Sequence, residues 1–150
     1  MRLAISTLIL IAHPLDCRAS SCHLAHTMNE VHEQLGEVEL RELVAAFYRR
    51  VREDDLLAPM YSESDWQGAQ ERLADFLLYR CGGSQKYIEE RGHPRLRMRH
   101  MPFRIGEAER DRWLQLMGEA MAEQAITDPA AGLLTDFFAQ TADFMRNQEG

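Results

Sequence analysis

The chain has 150 residues, 45% hydrophobic and 27% charged, with a formal net charge of −7 at pH 7. That length suits one domain around one core, and the acidic balance excludes a nucleic-acid partner, because phosphate contact needs a positive surface. Its three cysteines form no CxxC pair, so neither a zinc ribbon nor a disulfide framework is expected.

No stretch is long enough to span a membrane as a mature helix. Arg2 precedes an apolar run from Leu3 to Ala12, and Cys17-Arg18-Ala19 has the small-x-small form of a cleavage site, a weak export pattern. The preferred expectation is a reduced, cytoplasmic protein whose residues 1–34 are an N-terminal extension, disordered or a non-native start, with Met28 a possible true beginning. His13, His23, His26 and His32 fall in that extension and read as surface residues.

From about residue 39 helix follows helix. Leu40, Leu43, Val44, Phe47, Tyr48 and Val51 form one apolar stripe at helical spacing, stopped by Asp54, Asp55 and Pro59. Ser64 to Gln67 reads as a capping box for a second helix carrying Trp66, Ala69, Leu73, Phe76, Leu77 and Arg80, which Gly82-Gly83 ends. Residues 84–105 hold Gly92, Pro94 and Pro102 and predict a long ordered loop with a short helix near Arg95 to His100. Helical patterning then returns with Trp113, Leu116, Met117, Ala120 and Met121. The last helix has Asp128 as predicted N-cap, Pro129 as first residue, and Leu134, Phe137, Phe138, Thr141 and Met145 as its inner stripe. The fold class is all-α.

Two features of the loop bear on chemistry. Arg91, Arg95, Arg97, Arg99 and Arg104 crowd together in an otherwise acidic chain, a pattern that suits either a small anion or a solvated basic patch. His100 sits at the end of the short helix among Met98, Met101 and Phe103. A lone histidine is more often a packed or surface side chain than a ligand, so its neighbours decide the matter.

Those neighbours carry a resemblance. Phe47-Tyr48, Tyr61, Gly82-Gly83, the run His93-Pro94-Arg95-Leu96-Arg97, His100 with Pro102-Phe103, and Trp113 follow the order and spacing of the truncated haemoglobins, and among them group II. The likeness runs from about residue 35 to 145. Cys81 departs from it where an aromatic residue is frequent, and Leu35-Gly36 stands in place of a glycine pair. The resemblance implies a truncated globin domain over residues 35–150, two helices packed on two helices around non-covalent haem b, with His100 as iron ligand and His93 as the rival that is not at the ligand position. It implies that Tyr48, Tyr61 and Trp113 line the distal side and that Ala69 takes the place of a distal histidine. Leu73, Phe76, Met98 and Phe103 would pack against the porphyrin, with Arg99, and also Tyr87 and Arg97, as propionate partners.

The chemistry is coherent. Iron needs a neutral imidazole, and a backbone carbonyl on the other ring nitrogen would fix its tautomer. Tyrosine hydroxyls and an indole N–H can donate to a dioxygen ligand of partly negative charge. The expected function is reversible binding of dioxygen, carbon monoxide and nitric oxide with slow oxygen release. The alternative is nitric oxide dioxygenation or peroxidase-like turnover, which requires a separate reductase because the chain has no flavin or nicotinamide motif. A haem-free helical binding module is a third class.

Overall fold

The computed structural model describes the backbone of residues 19–149 and the side chains of residues 28–149. The export pattern, Cys17, Cys22, His13, His23 and His26 lie outside the described side chains. The described elements are helices without strands: α1 (Ala19–Arg52), a single 3-10 turn (Ala58–Met60), α2 (Trp66–Arg80), α3 (Lys86–Arg91), α4 (Leu96–His100), α5 (Glu107–Glu123) and α6 (Ala130–Met145). None is long and apolar enough to cross a membrane. α1 packs on α2, α5 and α6, α5 packs on α6, α2 packs on α3, and α4 rests on α6. The result is two helices crossed on two helices, as the stripes require.

The α1 stripe is buried throughout, with Leu40, Leu43, Val44, Phe47 and Val51 fully enclosed. Each such side chain contributes about 1.5–3 kcal/mol by leaving water. Gly36 breaks α1 with φ 75°, a conformation glycine reaches without a Cβ clash. At the other end of the next helix the glycine pair forms a Schellman cap. Gly83 N–H donates to Leu78 O at 2.8 Å and Gly82 N–H to Tyr79 O at 3.2 Å. The pair also lets α1 come close: a Cβ at Gly83 would stand 2.8 Å from His32 Nε2.

Four sequence expectations need correction. The domain boundary at residue 35 falls inside the packed core, because Met28 and Val31 are buried and Gln34 bonds to the start of α6. The Ser64–Gln67 box does not form: α2 begins at Trp66, Ser64 Oγ turns to Ser62 Oγ, and Gln67 donates to Glu71. α6 begins at Ala130, one residue later than expected, and the Ala130 N–H donates to Gln34 Oε1 at 3.0 Å. Asp128 still serves that helix by accepting the Gly132 N–H at 3.0 Å. The loop of residues 84–105 holds a helix, α3, besides the expected α4. Lys86 bridges to the buried Asp75 carboxylate at 3.1 Å and so ties α3 to α2.

Candidate functional site

Between α1, α2, α3, α4, α5 and α6 lies a cavity of about 840 Å³. Of the residues singled out from sequence, Tyr48, Tyr61, Ala69, Leu73, Phe76, Tyr87, Arg99, His100, Phe103 and Trp113 all line it. Two do not. Met98 is 58% exposed on the outer face of α4. Arg97 also turns outward, donating to Phe144 O at 3.4 Å with its guanidinium over the Phe144 ring. On a five-residue helix whose last residue faces inward, the position two residues earlier, Met98, faces away, while Arg97, three residues earlier, is drawn out by its contacts with Phe144.

His100 Nδ1 lies 2.7 Å from Leu96 O, one turn back on α4. The contact makes Nδ1 the donor and leaves Nε2 as a lone-pair ligand with no protein partner among the described residues. His93 stays outside the cavity, where its Nδ1 accepts the Arg95 N–H at 3.2 Å.

Another part of the wall is aromatic. Phe47 packs 4.8 Å from Trp113 and 5.3 Å from Tyr48, and Tyr48 meets Tyr61 edge-on at 5.6 Å. Trp66 stacks on Tyr61 at 5.0 Å and holds its ring from behind. Burial pushes the Tyr48 hydroxyl far above its ordinary pKa, and the neighbouring Tyr61 hydroxyl adds to this. Burial raises Tyr61 as well, although its bond with Tyr48 works the other way. Both phenols therefore stay protonated and remain donors. The Trp113 indole N–H has no acceptor among the described residues and is not sealed in the core.

Sequence reasoning missed Arg91, Leu96, Ile105 and the lining role of Phe137, Thr141 and Met145. The last three recur every four residues on the stripe already read as the inner face of α6, so their role was accessible once α4 was placed opposite. Arg72 also lines the cavity, but Asp65 holds it at 2.6 Å. Arg91 has no such partner among the described residues. Arg99 Nε donates to Pro94 O at 2.8 Å and Nη2 to Arg91 O at 3.2 Å, fastening α4 to the end of α3.

A flat apolar cofactor with two carboxylates and an iron in need of neutral imidazole suits these walls: Leu73, Phe76 and Phe137 would meet its faces, Arg91 and Arg99 its acids, and His100 Nε2 its metal. Helices arranged two on two around such a pocket define a haem-binding globin. Residues 30–147 match the bacterial-like globin family, and the chain belongs to it, within the group II truncated haemoglobins. A group 2 truncated haemoglobin of Bacillus subtilis is 36% identical over 125 residues, covering 83% of this chain and 94% of that protein. The crystal structure of a thermostable haemoglobin from the actinobacterium Thermobifida fusca superposes with a TM-score of 0.75 at 43% identity, covering 78% of this chain and 96% of that one. A truncated oxygen-avid haemoglobin from Bacillus subtilis does so with a TM-score of 0.75 at 37% identity, covering 78% and 98%. Haem is accordingly the cofactor, and diatomic gases are the ligand class.

Proposed function

We propose that this protein binds dioxygen reversibly and releases it slowly, with His100 as the iron ligand and Trp113 and Tyr48 as the donors that retain the gas. Haem supplies a ferrous centre for a diatomic ligand; the rest is the work of the chain. The Leu96 carbonyl holds the His100 tautomer and ring. Phe76, Leu73 and Phe137 exclude water from the cofactor's faces, and Ala69 leaves space where a larger side chain would block entry. Trp113 and Tyr48 both line that cavity and carry an N–H and an O–H donor for a bound gas. The observation that carries the reading is a cavity lined both by Trp113, whose N–H has no acceptor among the described residues, and by His100, whose Nε2 has no partner among them. The description of the Bacillus subtilis relative as oxygen-avid agrees with it.

One neutral hydrogen bond contributes about 0.5–1.5 kcal/mol, more when the acceptor carries charge. In Trp113→Phe, stopped-flow oxygen release should therefore quicken about tenfold, which corresponds to ~1.4 kcal/mol, while carbon monoxide release changes much less. Oxygen and carbon monoxide rates that both stay at wild-type values would reduce Trp113 to a core aromatic and overturn the reading.

A second reading is favoured by the unpaired arginines beside the pocket. It is nitric oxide dioxygenation, in which one nitric oxide, one dioxygen and one electron give one nitrate, the electron coming from a separate reductase. Steady-state nitric oxide consumption with such a reductase tests it.

A further inference from the structure

Six large hydrophobic side chains are exposed among the described residues, and four gather in one place: Met98, Met101 and Phe103 on or just after α4, and Phe144 at the end of α6. Arg97 joins the two elements, its guanidinium 5.7 Å from the centre of the Phe144 ring. Met101 follows Arg97 by four residues and Met98 by three, so the three share one face of the helical turn. Met98, Met101 and Phe144 form no part of the cavity wall, so a cofactor in the pocket leaves them uncovered. An exposed apolar cluster of this kind marks an interaction surface.

Its charge identifies the partner. Arg91, Arg95, Arg97, Arg99 and Arg104 occupy a stretch with no acidic residue between positions 91 and 106. None of the five forms an ion pair among the described residues, whereas seven other arginines do. Arg91 and Arg99 line the cavity, which leaves Arg95, Arg97 and Arg104 outside it. A chain of net charge −7 thus carries Arg95, Arg97 and Arg104, without ion pairs among the described residues, in the same segment as the exposed Met98 and Met101 and around the helix that carries His100.

We propose that this face docks an acidic one-electron carrier protein. The proposal rests on the reading of the cavity as a haem pocket. One electron leaves the carrier's reduced centre, which is oxidised by one unit, and is received at ferric haem, which becomes ferrous; no bond forms and no proton moves. A single helix, about 10 Å across, separates the docked carrier from the cofactor. The arginine collar steers approach and orientation, and the methionines and Phe144 supply the dry centre of the contact.

Reduced plant-type ferredoxin, an acidic iron–sulfur carrier, is a suitable probe. Ferric holoprotein is mixed with it under carbon monoxide at low and at high salt, and its oxidised form is titrated calorimetrically into the carbon monoxide form of the holoprotein. For wild type the reduction rate should fall steeply with salt. In Met101→Glu both the rate and the affinity should fall about tenfold, the scale expected when a like charge enters a docking face. Reduction by dithionite, the Soret band and oxygen release should stay as in wild type. A salt-independent rate that Met101→Glu leaves unchanged would overturn the proposal. So would sedimentation showing that the same face closes a homodimer that Met101→Glu dissolves. Failure of the underlying haem reading looks different: wild-type protein without a Soret band.

Discussion

Asp54 is one of two buried carboxylates among the described residues, and its removal gives a quantitative test of how the distal wall is held together. It sits in the turn after α1, where Oδ1 accepts the Leu56 and Leu57 N–H groups at 3.1 and 2.9 Å and Oδ2 accepts Arg112 Nε at 2.5 Å. Burial works to raise its pKa, but the bonds from Leu57, Arg112 and Leu56 outweigh it and hold the carboxyl below the usual carboxylate range. The residues tied together matter: Leu57 and Tyr61 line the cavity from the turn, and Trp113 lines it from α5 next to Arg112. Asp54→Asn preserves shape and the backbone bonds but loses the charged partner. A hydrogen bond to a charged group is worth about 1.5–3 kcal/mol. The Arg112 side chain is 38% exposed and regains water, so the lower end applies. At roughly 2–4 °C per kcal/mol for a domain of this size, Tm should fall by about 3–6 °C. Because the folded pKa is depressed, this contribution is complete above the unfolded value of about 3.9 and is lost as the pH falls through the lower folded value. Thermal melts of the carbon monoxide form across a pH series should show a gap at pH 7 that closes in acid. Equal melting temperatures at pH 7, or a gap indifferent to acid, would refute the reasoning.

Other consequences follow from the same contacts. Burial pushes the Cys81 thiol up to about 12 and encloses it, so an alkylating reagent should modify it only after denaturation, as peptide mass spectrometry can check. A chain beginning at Met28 should bind haem and melt as the full chain does. One beginning at position 37 loses Met28, Val31 and the Gln34 cap and should be several kcal/mol less stable, since deleting one large core side chain alone costs about 2–5 kcal/mol; equal melting of the two would show that the segment merely decorates the fold. Arg91→Ala and Arg99→Ala should each speed haem transfer to an acceptor globin only a few-fold, because exposed ion pairs contribute about 0–1 kcal/mol. Unchanged transfer in both would take the propionates away from these arginines.

Much of the fold was legible because the long stripes are continuous. The α1 set from Leu40 to Val51 and the α6 set from Leu134 to Met145 each show an unbroken helical period, and both are on the inside. The glycine pair at 82–83 was likewise readable from local chemistry alone. What escaped depends on distant partners. The N–H at the start of α6 is capped by Gln34, 96 residues earlier, and no local signal at Asp128-Pro129 reports that. α3 is six residues long, too short for a period to register, and is secured by a bridge from Lys86 to Asp75. The site divides in the same way. His100 and the aromatic donors stood out by their spacing, whereas Met98 and Arg97 were misplaced because sequence gives residue order on a short helix but not which face turns inward. Arg91 was visible within the arginine cluster, yet only the fold separates the arginines that line the cavity from those outside it.

The central claim is that His100 Nε2 holds the iron. The most direct measurement is the Soret spectrum and haem stoichiometry of His100→Gly beside His93→Gly, each with and without added imidazole. The account expects the His93 variant to keep one haem per chain and a wild-type spectrum. The His100 variant should lose the wild-type spectrum and regain it when imidazole fills the space left by the side chain. A His100→Gly protein that keeps the wild-type spectrum without imidazole, or a His93→Gly protein that turns colourless, would contradict it.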